Sequence, residues 1–202
     1  MSDAIETILA QNQRWARRKQ EHAADYFAEL VKGQSPPICW VGCCDSRVAP
    51  TEICQCALGD LFVQTNIANQ VRARDVNATS SLGYAIDVLR VRHLVICGHT
   101  DCGGVAAAMR DDTDADDLPL GVAEWIAPMR ELYRANESAL PRGDDFARAT
   151  EMSRINVRHQ VRAAAELEVI RSVRAANQNL TIHGWLFHLE SGTIETMEKV
   201  VF

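Results

Sequence analysis

The first part of the chain carries apolar side chains at helical spacing, with charged and polar residues between them. The basic cluster at residues 17–19 falls between the apolar positions and indicates a solvated face. Gly33 and the serine and two prolines at residues 35–37 then interrupt the pattern, because glycine and proline end helices. The pattern predicts one long or broken helix with apolar positions Ile5, Ile8, Leu9, Trp15, Tyr26, Phe27, Leu30 and Val31.

Short continuous apolar runs replace this helical pattern further along the chain. Three such runs, residues 38–43, 61–63 and 94–97, are typical of strands buried on both faces of a parallel sheet. Helical patterns at residues 50–56 and 79–90 separate them. This alternation predicts an α/β fold: a mostly parallel central sheet flanked by helices, preceded by a long amino-terminal helical extension.

The second half of the sequence predicts two longer helices and a late strand. Residues 120–137 and 146–176 have helical patterns, and residues 180–187 form a predicted strand before a hairpin-like segment at Ser191 and Gly192. The acidic stretch at residues 111–117 predicts a surface loop.

Length and charge narrow the range of functions. The 202 residues fit one domain over 1–202, with residues 1–33 as a helical arm. The formal charge of -6 gives no support for a nucleic-acid partner. No apolar run is long enough to span a membrane, and the amino terminus lacks the pattern of a secretory signal. We therefore expect a cytoplasmic protein.

Seven cysteines are the unusual feature of the composition. An odd number without an export signal argues against a disulfide framework and directs attention to metal ligands or reactive thiols. Cys44 is expected to face away from its neighbour Cys43, because adjacent residues on a strand point in opposite directions. Four further cysteines are predicted to pack in the core: Cys39, Cys54, Cys56 and Cys97.

Metal-binding side chains follow two of the predicted buried strands. Cys43 ends the first strand, and His99 and Cys102 follow the third. Because the carboxyl ends of parallel strands meet at one edge of a sheet, we expect these residues to converge. Two thiolates and one imidazole suit zinc. The His-x-x-Cys spacing predicts that His99 and Cys102 occupy one turn at the start of a helix.

Asp45 and Arg47 follow Cys43 at a spacing of two, which on an extended segment directs all three side chains the same way. Asp45 could bind the zinc directly as a fourth ligand and close the site. Alternatively, it could pair with Arg47 and accept a hydrogen bond from a zinc-bound water. The residues alone leave both arrangements open.

Five motifs follow one another in a specific order along the chain. They are Val-Gly-Cys43-Cys-Asp45-Ser-Arg47, Gly59-Asp60-Leu-Phe62-Val, Asn66-Ile67-Ala-Asn69, Cys97-Gly-His99-Thr-Asp-Cys102-Gly103-Gly and Ile182-His-Gly-Trp185. With these motifs the sequence resembles the β-class carbonic anhydrases, and the resemblance extends over most of the chain, from about residue 15 to residue 195.

The resemblance implies reversible hydration of carbon dioxide to bicarbonate and a proton by a zinc-bound hydroxide, with one Zn²⁺ per chain. It implies a homodimer or higher homo-oligomer whose amino-terminal helices embrace the partner, with part of the substrate pocket supplied by a neighbouring subunit. The implied roles are zinc ligation by Cys43, His99 and Cys102, catalysis by Asp45 and Arg47, and substrate binding by Gln34, Phe62, Ile67, Tyr84 and the amide of Gly103.

Other interpretations remain alongside this one. The same zinc chemistry could serve a hydrolase of carbonyl sulfide or carbon disulfide, or the zinc could stabilise an inactive scaffold. Some members of the family have a second, inhibitory bicarbonate site. Trp40 matches its tryptophan, but Thr65 and Phe187 replace its arginine and tyrosine, which predicts that the site does not function here. A histidine other than His99 could act as a proton shuttle, but no spacing selects one.

Overall fold

The computed structural model describes residues 3–110, 118–175 and 179–202, so the acidic stretch at 111–117 lies outside the described residues. The chain divides into two compact units, Met1–Ser35 and Pro36–Phe202. The helices are α1 Ala4–His22, α2 Tyr26–Val31, α3 Pro50–Ile53, α4 Val76–Gly83, α5 Gly103–Ala108, α6 Leu120–Asn136, α7 Asp145–Ala165 and α8 Glu168–Ala175. The strands are β1 Ile38–Cys43, β2 Leu61–Asn66, β3 His93–His99, β4 Thr181–His188 and β5 Thr193–Val201.

The first unit contains α1 and α2. Asp3 caps α1, since its carboxylate accepts the backbone N–H of Ile5 at 3.2 Å. The two helices meet through the rings of Trp15 and Phe27, whose centroids are 5.7 Å apart in an edge-on arrangement. The predicted long or broken helix is therefore broken, between His22 and Tyr26. No residue of either helix is buried.

The second unit is built on a five-stranded sheet in the order β2-β1-β3-β4-β5. The first four strands are parallel, and β5 pairs antiparallel with β4. This arrangement confirms the predicted α/β fold with a mostly parallel sheet. The late hairpin-like segment is the connection into β5, a full strand that the sequence pattern did not predict.

Alternate residues of the strands pack against helices on opposite faces of the sheet. One core cluster includes Val41, Ile96 and Ile182 from three neighbouring strands. The other includes Trp40 and Val95, together with buried residues of α5 and α6. Both faces are therefore covered, which explains the continuous apolar runs in the sequence.

Several boundaries differ from the sequence pattern. Strand β2 continues to Asn66 because an edge strand, paired on one side only, accommodates polar residues. Helix α4 begins at Val76, where the carboxylate of Asp75 accepts the N–H of Asn77 at 3.0 Å, and it continues into one π-helical turn. The helix predicted at 146–176 is two helices, because α7 ends at Ala165 and α8 begins at Glu168. No glycine or proline marks this break in the sequence, and Leu167, which lies between the two helices, packs in the core.

Close packing of α7 against β3 depends on Gly98. A Cβ atom at this position would lie 2.7 Å from Cγ2 of Val157. We predict that Gly98→Ala lowers the free energy of unfolding by about 1–3 kcal/mol, because the packed helix must shift to accommodate the added methyl group. Urea denaturation in the presence of a chelator measures this change.

The matched control is Gly121→Ala on α6, where an added Cβ meets no atom within 4 Å. This variant should be neutral or slightly stabilising, because alanine favours helix more than glycine does. Equal destabilisation by both substitutions would contradict the packing explanation.

Candidate metal centre

Three metal-binding side chains meet at the carboxyl edge of the sheet. Cys43 is the last residue of β1, His99 is the last residue of the neighbouring β3, and Cys102 lies just before α5. Their ligand atoms all lie within 4.8 Å of one another, and all three residues are buried. The two Sγ atoms are 3.9 Å apart. The structure thus brings together the three ligands that the sequence predicted.

The path of the chain between His99 and Cys102 corrects one prediction. These residues do not share a helical turn, because β3 continues through His99 and α5 begins only at Gly103. The chain reverses at Thr100 and Asp101, and Asp101 adopts the left-handed conformation with φ of 54°. This tight reversal, rather than a helix, returns the Cys102 thiol to the imidazole.

The imidazole of His99 is oriented by the backbone carbonyl of the next residue, Thr100. Its Nδ1 atom lies 2.8 Å from the carbonyl oxygen of Thr100. A carbonyl only accepts, so Nδ1 carries the proton and Nε2 presents a lone pair. This Nε2 atom is buried and has no hydrogen-bond partner among the described residues. An orphaned nitrogen beside two thiols is the arrangement that a metal ion would satisfy.

The two thiols form an unequal pair. A hydrogen bond from Cys102 lowers the pKa of Cys43, and the N–H of Ala68, 3.4 Å from Cys43 Sγ, adds to this effect. The same contact with Cys43, together with burial, raises the pKa of Cys102. Cys43 is therefore the more acidic thiol of the pair. Thiolates bind soft or borderline divalent cations, so the donor set fits a metal such as zinc.

The remaining cysteines behave differently. Cys39 and Cys97 are buried, and burial raises the pKa of Cys39 to about 12. Cys54 and Cys56 are partly buried, while Cys44 is exposed beside the buried Cys43. The contrast in pKa between Cys39 and Cys43 separates a packing cysteine from a candidate ligand.

Two buried amides brace the backbone that contacts Cys43. Ala68 has a φ of 62°, a conformation that costs energy for a residue with a Cβ atom. Its carbonyl accepts a hydrogen bond from Asn156 Nδ2 at 3.0 Å. Gln160 on the same helix donates to Asn156 Oδ1 at 2.9 Å and accepts the N–H of Val71 at 2.8 Å. These contacts hold the Ala68 N–H against the thiol.

Asn156 and Gln160 were not among the residues predicted to form the site. The available signal was two amides four residues apart on a helix face that also carries Val157 and Val161. Buried amides of this kind need complete hydrogen bonding, and here the loop after β2 provides it.

Ile67 lies next to this braced segment. A Cβ atom on Gly104 would come within 2.5 Å of Ile67 Cγ2, so glycine allows α5 to approach the loop. The indole N–H of Trp125 donates to the Ile67 carbonyl at 2.9 Å. Ile67 packs against the core cluster that contains Cys43 and Cys102, and it therefore lies on the metal side of the sheet.

Asp45 and Arg47 form a bidentate ion pair. Arg47 Nε lies 2.9 Å from Asp45 Oδ1, and Arg47 Nη2 lies 2.7 Å from Oδ2. These contacts hold the pKa of Asp45 down to about 2, so the carboxylate is ionised near neutral pH. Of the two arrangements that the sequence left open, the structure contains the pair with Arg47.

The segment that carries this pair is a turn and not the extended segment expected from the sequence. The N–H groups of Arg47 and Val48 donate to the side chain and to the carbonyl of Asp45, at 3.0 and 3.1 Å. Arg47 then reaches Asp101, with Nη1 2.8 Å from its Oδ2. Asp101 was not among the predicted site residues, although it lies within the motif that runs from Cys97 to Gly104. Asp45 Oδ2 lies 3.9 Å from His99 Nε2, so the pair borders the metal centre.

The other predicted substrate residues are distributed more widely. The Phe62 and Tyr84 rings lie 5.9 Å apart, and Phe62 packs against the core cluster on the other face of the sheet from Ile67. Tyr84 is half-exposed. Gly103 opens α5 with free space around its Cα, and Gln34 lies in the first unit. Within the second unit, the sheet separates Ile67 from Phe62 and its neighbour Tyr84.

Side chains nearly fill the place that corresponds to the second bicarbonate site implied by the resemblance. Trp40 and Phe187 are buried and line a cavity of about 10 Å³ with Cys97. That volume is about what one water needs. Thr65 lines a different cleft, together with Ile67 and Trp125.

Comparisons with known proteins agree with one another. The sequence model of a family described as carbonic anhydrase matches residues 38–194. A carbonic anhydrase from Emericella nidulans is 35% identical over 192 residues, covering 94% of this chain and 82% of that protein. One from Pseudomonas aeruginosa is 34% identical over 206 residues, covering 98% of this chain and 88% of that protein.

Solved structures show the same similarity. A tetrameric β-carbonic anhydrase from Sordaria macrospora superimposes with a TM-score of 0.92 at 31% identity, covering 97% of this chain and 98% of that one. A Coccomyxa β-carbonic anhydrase in complex with acetazolamide also gives 0.92, at 27% identity, with 99% and 89% covered.

The bracing of Ala68 gives a testable prediction. Asn156→Leu removes the donor to the Ala68 carbonyl while keeping the side-chain volume similar. We expect the free energy of unfolding of the metal-free protein to fall by about 1–3 kcal/mol, because the buried carbonyl loses its partner. We also expect weaker zinc binding in competition with a chromogenic chelator, because the N–H donor to Cys43 is released.

Asn136→Leu serves as the control, since its amide donates to a carbonyl within its own helix at 2.8 Å. It should leave zinc affinity unchanged. Unaltered zinc affinity in Asn156→Leu would show that the amide supports the fold without influencing the metal centre.

Proposed function

We propose, because the chain belongs to the β-class carbonic anhydrase family, that this enzyme hydrates carbon dioxide reversibly to bicarbonate and a proton with one zinc ion per chain. The observation that carries the proposal is the convergence of two thiols and an orphaned imidazole nitrogen beside an ionised carboxylate. A purely structural zinc site needs four protein ligands and has no use for such a carboxylate.

Cys43, His99 and Cys102 would hold the zinc through Sγ, Nε2 and Sγ. A zinc ion bound there supplies a Lewis acid that makes water nucleophilic near neutral pH. The surrounding backbone already favours the metal-binding forms of these side chains. The Thr100 carbonyl fixes the ligating tautomer of His99, and the Ala68 N–H stabilises the Cys43 thiolate.

Asp45 and Arg47 would orient the reacting water. The carboxylate of Asp45 borders the metal centre and is ionised, so it can accept a hydrogen bond from a water molecule there. Arg47 holds both carboxylate oxygens of Asp45 and is itself held by Asp101. These contacts with Arg47 would hold Asp45 as a hydrogen-bond acceptor for that water and away from direct ligation of the metal.

Carbon dioxide is uncharged, and an apolar wall beside the water would bind it. Ile67 provides such a wall, since it packs against the core cluster that contains Cys43. The backbone amide of Gly103, the first residue of α5, would face the substrate. Phe62, Tyr84 and Gln34 would complete the pocket from another copy of the chain. This assignment accounts for the exposed position of Tyr84 on the other side of the sheet.

A homodimer or larger assembly would also cover α1. Ile5, Ile8 and Leu9 share one side of this helix and are 58–60% exposed. One of the similar structures is a tetrameric enzyme. We therefore assign residues 1–33 to an arm of a single functional domain, 1–202, that contacts a partner copy. Among the described residues, no helix is both long and apolar enough to cross a bilayer.

The first test substitutes Asp45. Asp45→Asn keeps the size of the side chain but removes the charge that accepts the hydrogen bond, so kcat/KM should fall by about 10²-fold or more. Zinc content should stay near one per chain, because Asp45 is not assigned as a ligand. Stopped-flow carbon dioxide hydration and metal analysis measure the two quantities.

Asp87→Asn, an exposed carboxylate on the π-helical turn, is the control and should retain activity. Full activity in Asp45→Asn would refute the role given to this carboxylate. A zinc-loaded wild type that hydrates no carbon dioxide would refute the function itself and favour the inactive scaffold. Parallel assays with carbonyl sulfide and carbon disulfide test the remaining alternative.

The second test concerns assembly. Ile8→Glu places a charge in the exposed apolar stripe of α1, and the desolvation of that charge should disfavour any interface there. We expect a smaller particle by light scattering coupled to gel filtration. Gln13→Glu adds the same charge at a polar, exposed position of the same helix and should leave the mass unchanged. An unchanged mass in Ile8→Glu would remove α1 from the interface.

A further inference from the structure

A network of charged side chains begins one residue after His99. The hydroxyl of Thr100 donates to Glu190 Oε2 at 2.8 Å and accepts the N–H of Leu189 at 2.9 Å. The other oxygen of Glu190 lies 2.8 Å from Nδ1 of His188. The metal-binding strand is thus tied directly to the end of β4, where His188 lies.

His188 is held between two carboxylates. Its Nε2 atom lies 2.9 Å from Glu195 Oε2, and Arg154 on α7 donates to the same oxygen at 2.9 Å. A neutral imidazole has one nitrogen without a proton, which cannot hydrogen-bond to a carboxylate. Both contacts are therefore favourable only in the protonated ring. Glu190 and then Glu195 raise the pKa of His188 accordingly, against a smaller opposite effect of burial.

An open cleft lies between the active-site ion pair and Glu190, the carboxylate that contacts this histidine. Arg47, Asp101, Phe146, Leu189 and Glu190 line the cleft, whose volume is about 600 Å³. Arg47 and Asp101 form its wall toward the metal centre, and Glu190, which contacts His188, forms part of the same lining. The cleft is large enough for a group of water molecules between these two ends.

The proposed reaction requires a path by which a proton leaves the metal centre. Hydration converts CO₂ and H₂O into HCO₃⁻ and H⁺, so one proton must leave the buried centre in every turnover. Asp45 and Glu190 both have a pKa of about 2 and cannot retain a proton near neutral pH. Transfer needs a group that can take up a proton and release it again, and the imidazole of histidine is a side chain with this chemistry.

We propose that His188 is the proton-transfer residue of this enzyme, exchanging protons with the metal centre through the Glu190 carboxylate and water in the cleft that Glu190 lines with Arg47 and Asp101. In hydration, an O–H bond of the reacting water breaks, and the proton moves through the cleft water to Glu190. Glu190 passes it from Oε1 to Nδ1 of a neutral His188, where an N–H bond forms, while the other ring proton stays on Nε2 toward Glu195. Buffer then removes the proton from the ring. In dehydration, the protonated ring supplies it. This proposal rests on the proposed function.

Three other histidines of the second unit do not have this placement. His93 and His183 lie 3.3 Å from each other, nitrogen to nitrogen, at the opposite ends of their strands from the metal edge. His159 lies on α7, and burial lowers its pKa. The sequence could not choose among these histidines, whereas the contact with Glu190, which lines the cleft, distinguishes His188.

The test separates proton transfer from the conversion of carbon dioxide. In His188→Ala, at low buffer concentration, kcat for hydration should fall about tenfold or more, with kcat/KM unchanged. Added imidazole should restore kcat in a saturable manner. Exchange of ¹⁸O between carbon dioxide and water should show unchanged interconversion but slower release of labelled water. His188→Gln, which retains polar contacts without titrating, should behave in the same way.

His93→Gln is the control and should match the wild type in every measurement. An equal loss of kcat and kcat/KM in both His188 variants would show a structural role and overturn the proposal. Wild-type kcat at low buffer in these variants would also overturn it. In either case, intact interconversion of carbon dioxide in the wild type leaves the proposed function standing, so the two failures are distinguishable.

Discussion

Parallel pairing of β1 with β3 is the constraint on which the metal centre depends. Two neighbouring strands that run in the same direction end at the same edge, and this places Cys43 beside His99. The reversal at Asp101 then adds Cys102, 59 positions from Cys43 in sequence. A register shift of one residue would turn every side chain of a strand to the other face. The apolar cores on both faces therefore also fix the geometry of the ligands.

Electrostatics around the centre follow from one guanidinium. Arg47 lies between Asp45 and Asp101 and donates to both carboxylates, and it holds the pKa of Asp45 low next to a cluster of thiols. Without the guanidinium, adjacent negative charges would favour protonation of Asp45. The same residue also lines the cleft that leads to Glu190. Proton acceptance at the centre and proton exit from it therefore share one structural element.

Helix α7 supports both parts of this machinery. Asn156 and Gln160 fix the left-handed Ala68 backbone against the Cys43 thiol, and Arg154 fixes the Glu195 carboxylate against His188. Val157, next to Asn156, packs against Gly98 in the strand that ends in His99. Apolar packing at one residue thus sets the position of polar contacts at its neighbours. A small displacement of this helix would affect the metal ligands and the His188 network together.

The fold class, the buried strands and the candidate metal-binding residues Cys43, His99 and Cys102 could be predicted from the sequence, because apolar periodicity and ligand spacing are local properties of the chain. The sequence left the position of Asp45 open, ended β2 too early and selected neither Asp101 nor Asn156. It also offered five histidines without a choice among them. Those decisions involve partners such as Arg47 with Asp101, or His188 with Glu190 and the cleft beside it. These partners can be identified only in the folded protein, because hydrogen bonding and burial depend on which distant segments become neighbours.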